Sequence, residues 1–205
     1  MTAALFDLQS ANSPFGSFAV LFRAVPFCIF RIFLPGESVP KARPVDDRND
    51  PPPALREVVR MIQAYFEGKP IGAPPWKWLH TQDLTGFERA VLEATARIPY
   101  GGLRAYRDIA LAAGRPKACR AVGNALGKNP FPILIPCHRV ILSSGKIGGF
   151  GGGTALKKEL IALEARFIGS TDSGVTGSQK TGRPSPQVFH RSPAGKASAS
   201  FCHYP

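Results

Sequence analysis

Within the segment Asn129-Pro130-Phe131-Pro132-Ile133-Leu134-Ile135-Pro136-Cys137-His138-Arg139-Val140-Ile141, the otherwise apolar, strand-like run 133–141 sets one cysteine beside one histidine. A thiol among Ile, Leu and Val is ordinarily inert, because loss of water disfavours the thiolate and raises its pKa. His138 and Arg139 supply a neighbouring base and a cation, the company of a thiolate that is wanted. Adjacent side chains of an extended strand point to opposite faces, so His138 cannot simply grip the Cys137 sulfur. Either the backbone turns here or a water connects the two. A further polar group must orient the imidazole, and Glu164, on the last predicted helix, is the best-placed acid. An isolated Cys-His pair reads more readily as a core cysteine beside a surface histidine, so the flanking segments decide.

Downstream, Ser143-Ser144-Gly145 predicts a turn, followed by the glycine-dense Gly148-Gly149-Phe150-Gly151-Gly152-Gly153. A helix is expected over residues 155–167, with Leu156, Leu160, Leu163 and Phe167 as its apolar stripe and Thr154 as its N-cap. Upstream, Thr85-Gly86-Phe87-Glu88 has the pattern of a capping box ahead of a helix over 87–97. Two short helices, 104–113 and 116–126, are joined by Gly114-Arg115, with Pro116 at the first helical position of the second. The pair has a helix-turn-helix pattern, and its second helix carries Lys117, Arg120 and nearby Lys128. Any αα-hairpin shares that spacing. The small residues Ala118, Ala121, Gly123 and Ala125 permit close approach either to a surface or to another helix.

Earlier in the chain, residues 15–34 read as a β-hairpin that turns near Ala24-Val25-Pro26. Residues 35–53 form a Pro-rich charged loop. Leu55, Val58, Val59, Ile62 and Phe66 then have the spacing of an amphipathic helix that stops at Gly68. A small α+β unit therefore ends near Asp83. Residues 170–205 are rich in Ser, Gly and Pro and predict a disordered tail.

The chain of 205 residues carries a formal charge of +12. Residues 1–84 hold 9 basic and 8 acidic side chains (+1), residues 85–169 hold 13 and 5 (+8), and residues 170–205 hold 4 and 1 (+3). The excess belongs to the part that holds Cys137, which suits a polyanionic partner, nucleic acid first, as well as a merely soluble basic surface. Cys28, Cys119, Cys137 and Cys202 include no CxxC pair, and they read as reduced thiols. The apolar stretch 18–34 is interrupted by Arg23, Pro26 and Arg31, so neither a membrane span nor a signal peptide is expected.

The quoted segment resembles the active-site signature of the methylated-DNA–protein-cysteine methyltransferases. Ile98-Pro99-Tyr100-Gly101, Tyr106, Arg115-Pro116-Lys117-Ala118 and Arg120-Ala121-Val122-Gly123 precede it in that family's order, and Ser144-Gly145, Gly148-Gly149-Phe150 and 160–164 follow. Strong similarity covers about residues 85–167. The resemblance implies an α+β protein: a small N-terminal, ribonuclease H-like domain over 1–84, then a mainly helical, winged helix-turn-helix domain over 85–169. It implies Cys137 as alkyl acceptor, activated by His138 through a water, with Glu164 behind the histidine and Asn129 holding the turn. Tyr106 would hydrogen-bond the flipped base, the carbonyls of Cys137 and Val140 would accept from its amino group, and Gly151 N–H would donate to O6, beside Phe150. Arg120 would replace the extruded nucleotide, with Lys117, Ala118, Cys119 and Arg139 also at the DNA surface. The implied partner is double-stranded DNA containing O6-alkylguanine, met by a cytoplasmic, nucleoid-associated or nuclear monomer with no cofactor and no metal.

Three departures stand out. Ala105 replaces a helix-capping Ser or Thr, Cys119 a smaller residue, and Phe150-Gly151 a Tyr-Ser pair, which widens the pocket lip. The competing readings are a lesion-binding relative without transfer activity, which would lack the acceptor cysteine, a transcriptional regulator on the same fold, and a cysteine hydrolase.

Overall fold

The computed structural model describes residues 4–8, 15–39, 43–44 and 51–171. Four strands, β1 (Ala4–Leu8), β2 (Phe18–Arg23), β3 (Cys28–Phe33) and β4 (Arg43–Pro44), form one sheet in the order β3-β2-β1-β4. β1–β2 and β2–β3 are antiparallel, and β1–β4 is parallel. The expected hairpin is β2–β3, while β1 was not foreseen. The long Pro-rich loop and the predicted tail fall largely outside the described residues.

Helix α1 (Pro53–Phe66) buries Leu55, Val58, Ile62 and Tyr65, a 3-4-3 spacing that keeps one stripe against the sheet. Phe66 packs beside that stripe, its ring 4.7 Å from Phe18. The chain leaves the helix at Gly68, whose φ of +81° is open to glycine without penalty. A 3₁₀ turn at Trp76–Trp78 follows.

Helix α2 (Gly86–Ala96) begins with the expected capping box: Thr85 Oγ1 accepts from Glu88 N–H at 3.2 Å, and the Glu88 carboxylate accepts from Thr85 N–H at 3.0 Å. The next helix starts two residues later than expected, at α3 (Tyr106–Ala112), because Arg104–Ala105 are drawn into a short parallel ladder, β5, with β6 (Val140–Ile141). Ala105 cannot cap α3 with its side chain, but the Asp108 carboxylate accepts from Ala105 N–H at 3.0 Å.

Helix α4 (Cys119–Gly127) also starts late, so Pro116 is not its first residue. Arg115 N–H closes α3 on Ala110 O, and Arg115 O then accepts from Ala118 N–H, which commits Pro116 and Lys117 to a separate turn. The last helix, α5 (Gly153–Thr171), is longer than expected at both ends, which places Thr154 in its first turn rather than at its N-cap. The side chain of Phe167 lies outside the described ones.

Residues 133–139, expected to be strand-like, are not a strand. Pro130, Pro132 and Pro136 remove three ladder donors, Ile133 takes a φ of +72°, and Cys137–Arg139 form a 3₁₀ turn. Only Val140–Ile141 is extended. The N-terminal sheet grips this segment directly, since Ile32 N–H of β3 donates to Pro130 O at 2.8 Å. One continuous cluster of buried side chains runs from Phe15 through Tyr65 and Val91 to Leu163, so both halves of this α+β fold share a core. No helix among the described residues is long and apolar enough to cross a membrane. Thr85→Ala removes an N-cap and should lower unfolding free energy by about 1 kcal/mol, read as a lower urea midpoint with an unchanged slope.

Candidate active site

Cys137 opens the 3₁₀ turn and is 6% exposed. Asn129 Nδ2 donates to its Sγ at 3.1 Å and to Ile135 O at 3.0 Å, while Asn129 Oδ1 accepts from Phe131 N–H at 3.0 Å. One amide side chain thus shapes the proline-rich segment and touches the sulfur. Burial raises the thiol's pKa, against the Asn129 hydrogen bond and the charge of Lys157, which lower it.

The turn sends His138 away from Cys137 into a closed polar cluster. The imidazole is fully buried, with Nε2 at 2.7 Å from Glu164 Oε1 and 3.1 Å from the Tyr65 hydroxyl. Tyr65 O–H donates to Glu164 Oε1 at 3.0 Å, and Gly101 N–H donates to Oε2 at 2.7 Å. Arg139 Nε donates to both carboxylate oxygens at 3.1 and 3.0 Å. Burial alone raises the Glu164 pKa, but the donors and positive charge of His138 and Arg139 overcome it, leaving the carboxyl at about 2. An ionised carboxylate fixes the proton of His138 on Nε2. Nδ1 then carries the lone pair, and it is buried without a partner among the described residues.

Arg139 corrects an expectation. It is 5% exposed, and besides Glu164 it donates through Nη1 to Ile98 O at 2.6 Å. Its charge is spent inside the protein, so it is not part of a DNA-facing surface. Lys117, Cys119 and Arg120 are exposed on the turn and the start of α4, and Ala118 is half-buried between them.

A cavity of about 340 Å³ is lined by Tyr106, Gly123, Leu126, Gly149, Phe150 and Gly151 and ends on Cys137. A second, of about 390 Å³, meets the same thiol from the side of β3 and includes Arg31, Glu37, Asn129 and Pro132. Tyr106, the first residue of α3, leans over the first cavity with its hydroxyl 3.5 Å from Gly149 O.

Two residues of the site escaped the sequence reading. Tyr65 sat on a helix face already explained by Phe66, although the step of three from Ile62 was a signal for it. Lys157 carried no signal of its own in the sequence, yet it is fully buried, with Nζ donating to Val140 O at 2.6 Å and to Gly149 O at 3.3 Å. The Val140 carbonyl, expected to meet the guanine amino group, thus already accepts one hydrogen bond, from Lys157.

Fold and site together define a protein that keeps one shielded thiol at the end of a cavity, beside a helix pair that carries exposed Lys117 and Arg120. Residues 86–166 match the family described as 6-O-methylguanine DNA methyltransferase, DNA binding domain. A methylated-DNA–protein-cysteine methyltransferase of Methanosarcina barkeri is 44% identical over 116 residues, which span 54% of this chain and 68% of that one. Its counterpart in Cricetulus griseus is 39% identical over 170 residues, spanning 72% and 78%. Among solved structures, Mycobacterium tuberculosis OGT in complex with DNA is similar at a TM-score of 0.63 and 31% identity, covering 80% of this chain and 94% of that one. The chain belongs to the methylated-DNA–protein-cysteine methyltransferase family.

A Cβ at Gly148 would lie 2.8 Å from the Tyr106 hydroxyl and 2.9 Å from its ring. Gly148→Ala should therefore push Tyr106 out of place and slow transfer about tenfold or more while leaving the unfolding midpoint near wild type, since the displaced ring lies at the surface of the cavity.

Proposed function

We propose that this methyltransferase acts on double-stranded DNA, turning an O6-alkylguanine out of the helix and taking its alkyl group onto Cys137 in a single turnover. The observation that carries the reading is the junction at Cys137: a thiol ending a base-sized cavity, held by Asn129, next to a histidine whose Nδ1 is left free to accept a proton. The complex of the M. tuberculosis relative with DNA supports DNA as partner.

The thiol at rest is kept neutral by its burial, which protects a nucleophile that can be used once. With a base in the cavity, His138 Nδ1 takes the thiol proton through a bridging water, and Glu164 stabilises the imidazolium that forms. The sulfur attacks the alkyl carbon in line, the carbon–O6 bond breaks, and its electron pair leaves with guanine. Tyr106 O–H stabilises the departing base, which ends with the proton the thiol gave up. The thioether product has no route back, since water does not cleave it at a useful rate.

Arg120 fills the gap left by the flipped nucleotide, and Lys117, Ala118 and Cys119 meet the backbone around it, binding without sequence readout as repair in any context requires. We read residues 1–84 as a ribonuclease H-like unit and 85–169 as a winged helix-turn-helix unit, of which α3 and α4 are the helix pair. We place the protein, as a monomer, in the compartment that holds its DNA.

Incubating the protein with a duplex carrying labelled O6-methylguanine should place at most one label per chain, on Cys137, and Cys137→Ala should abolish it. Binding of the duplex without transfer by the intact protein would instead favour a lesion-sensing role. Because Phe150-Gly151 opens the lip between the two cavities, O6-benzylguanine should react no more than about tenfold slower than O6-methylguanine in matched single-turnover assays; a strict methyl preference contradicts this.

A further inference from the structure

We propose that Tyr65 is a positioning residue for alkyl transfer: its hydroxyl, delivered by α1, fixes the His138 tautomer together with Glu164 and restrains how tightly that pair holds a proton. The inference rests on the proton relay through His138 described above.

The argument begins with Glu164 Oε1, which accepts from Tyr65 O–H, His138 Nε2 and Arg139 Nε at 3.0, 2.7 and 3.1 Å. The Tyr65 oxygen also lies 3.1 Å from His138 Nε2. Burial and the neighbouring Glu164 charge raise the Tyr65 pKa, so its proton stays in place and is donated to the carboxylate. Nε2 therefore faces two acceptors, the carboxylate and the tyrosine oxygen, and must itself be N–H. The lone pair is confined to Nδ1.

The hydroxyl also shares the negative charge that attracts a proton to the imidazole. The groups around His138 are Glu164 and Lys157 from α5, Arg139 and Cys137 from its own turn, and Tyr65 from α1, with Tyr100 further along the cluster. Burial lowers the imidazole pKa most, Glu164 raises it, and Arg139 and Lys157 lower it. Removing the Tyr65 donor leaves more of the Glu164 charge for His138, so the pair keeps its proton to higher pH. A protonated Nδ1 cannot accept from the thiol.

Ring packing does not explain a tyrosine here. Tyr65 is fully buried against Phe66, Tyr100 and His138, with ring centroids 5.3, 5.9 and 5.8 Å away, surroundings that a phenylalanine would fill as well. A buried hydroxyl is costly unless bonded, and among the described residues this one bonds Glu164 and His138 alone.

The test is the rate of single-turnover methyl transfer from a saturating O6-methylguanine duplex, from about pH 5 to about pH 9, for wild type, Tyr65→Phe and His138→Gln. Wild type should slow towards acid, and His138→Gln should lose that limb. In Tyr65→Phe the limb should move up by about one pH unit, giving about a tenfold loss at a fixed acidic pH, with rates at the alkaline end within about twofold and duplex affinity unchanged. A limb that persists in His138→Gln overturns the relay itself and this inference with it. A His138-dependent limb that Tyr65→Phe leaves in place, with or without a uniform loss of rate, overturns the role of Tyr65 alone. Should Tyr65→Phe fail to fold, a long-range nitrogen–proton correlation spectrum of wild type decides: His138 in the Nε2–H tautomer is expected, and the Nδ1–H tautomer refutes the proposal.

Discussion

The buried carboxylate of Glu164 holds this structure together. Standing on α5, it accepts from the Tyr65 hydroxyl of α1, from Gly101 N–H just after α2, and from His138 and Arg139 of the 3₁₀ turn. Four stretches that share no local sequence are thus joined at two oxygen atoms. A lone carboxylate in such a place would pick up a proton, and it is the number and charge of its donors that keep it ionised. Deleting such a partner from a buried ion pair costs about 3–5 kcal/mol, because the charge left behind has no water to turn to.

That carboxylate also explains how a buried thiol can be both safe and usable. Cys137 sits in an environment that favours the neutral thiol, and the base proposed to activate it, His138, follows it in the same turn. Positive charge is present but already committed: Arg139 to Glu164 and Ile98 O, Lys157 to the carbonyls of Val140 and Gly149. These cations hold the turn and the glycine-rich wall in register instead of drawing DNA. The charge of Lys117 and Arg120, by contrast, is exposed and, among the described residues, is not drawn into the core, so it remains available to a polyanion.

Much of the fold was legible along the chain because its signals are local. The Thr85–Glu88 box, the stop at Gly68, the hairpin of β2 and β3 and the stripe of α5 each depend on side chains within a few residues of one another. Several readings were overturned. Residues 133–139 looked like a strand by composition, yet Pro136 removes a ladder donor and the backbone at Phe131 and Ile135 is held by Asn129 instead. Arg104 and Ala105 looked helical until a distant pair, Val140 and Ile141, drew them into a ladder. Arg139 looked like a surface cation because nothing near it in sequence could neutralise it.

The amino-acid order by itself located most helices, the β2–β3 hairpin, the thiol beside a histidine and the family, since caps, periodicity and a contiguous signature need no knowledge of what lies across the core. It also singled out Asn129, His138 and Glu164 as the groups to bring together. Only the tertiary structure decided where charge is hidden. The burial of Lys157 and Arg139, and the arrival of Tyr65 at a relay 73 residues away, depend on which helix faces meet. Side-chain burial is a property of those meetings, and no single stretch of chain encodes it.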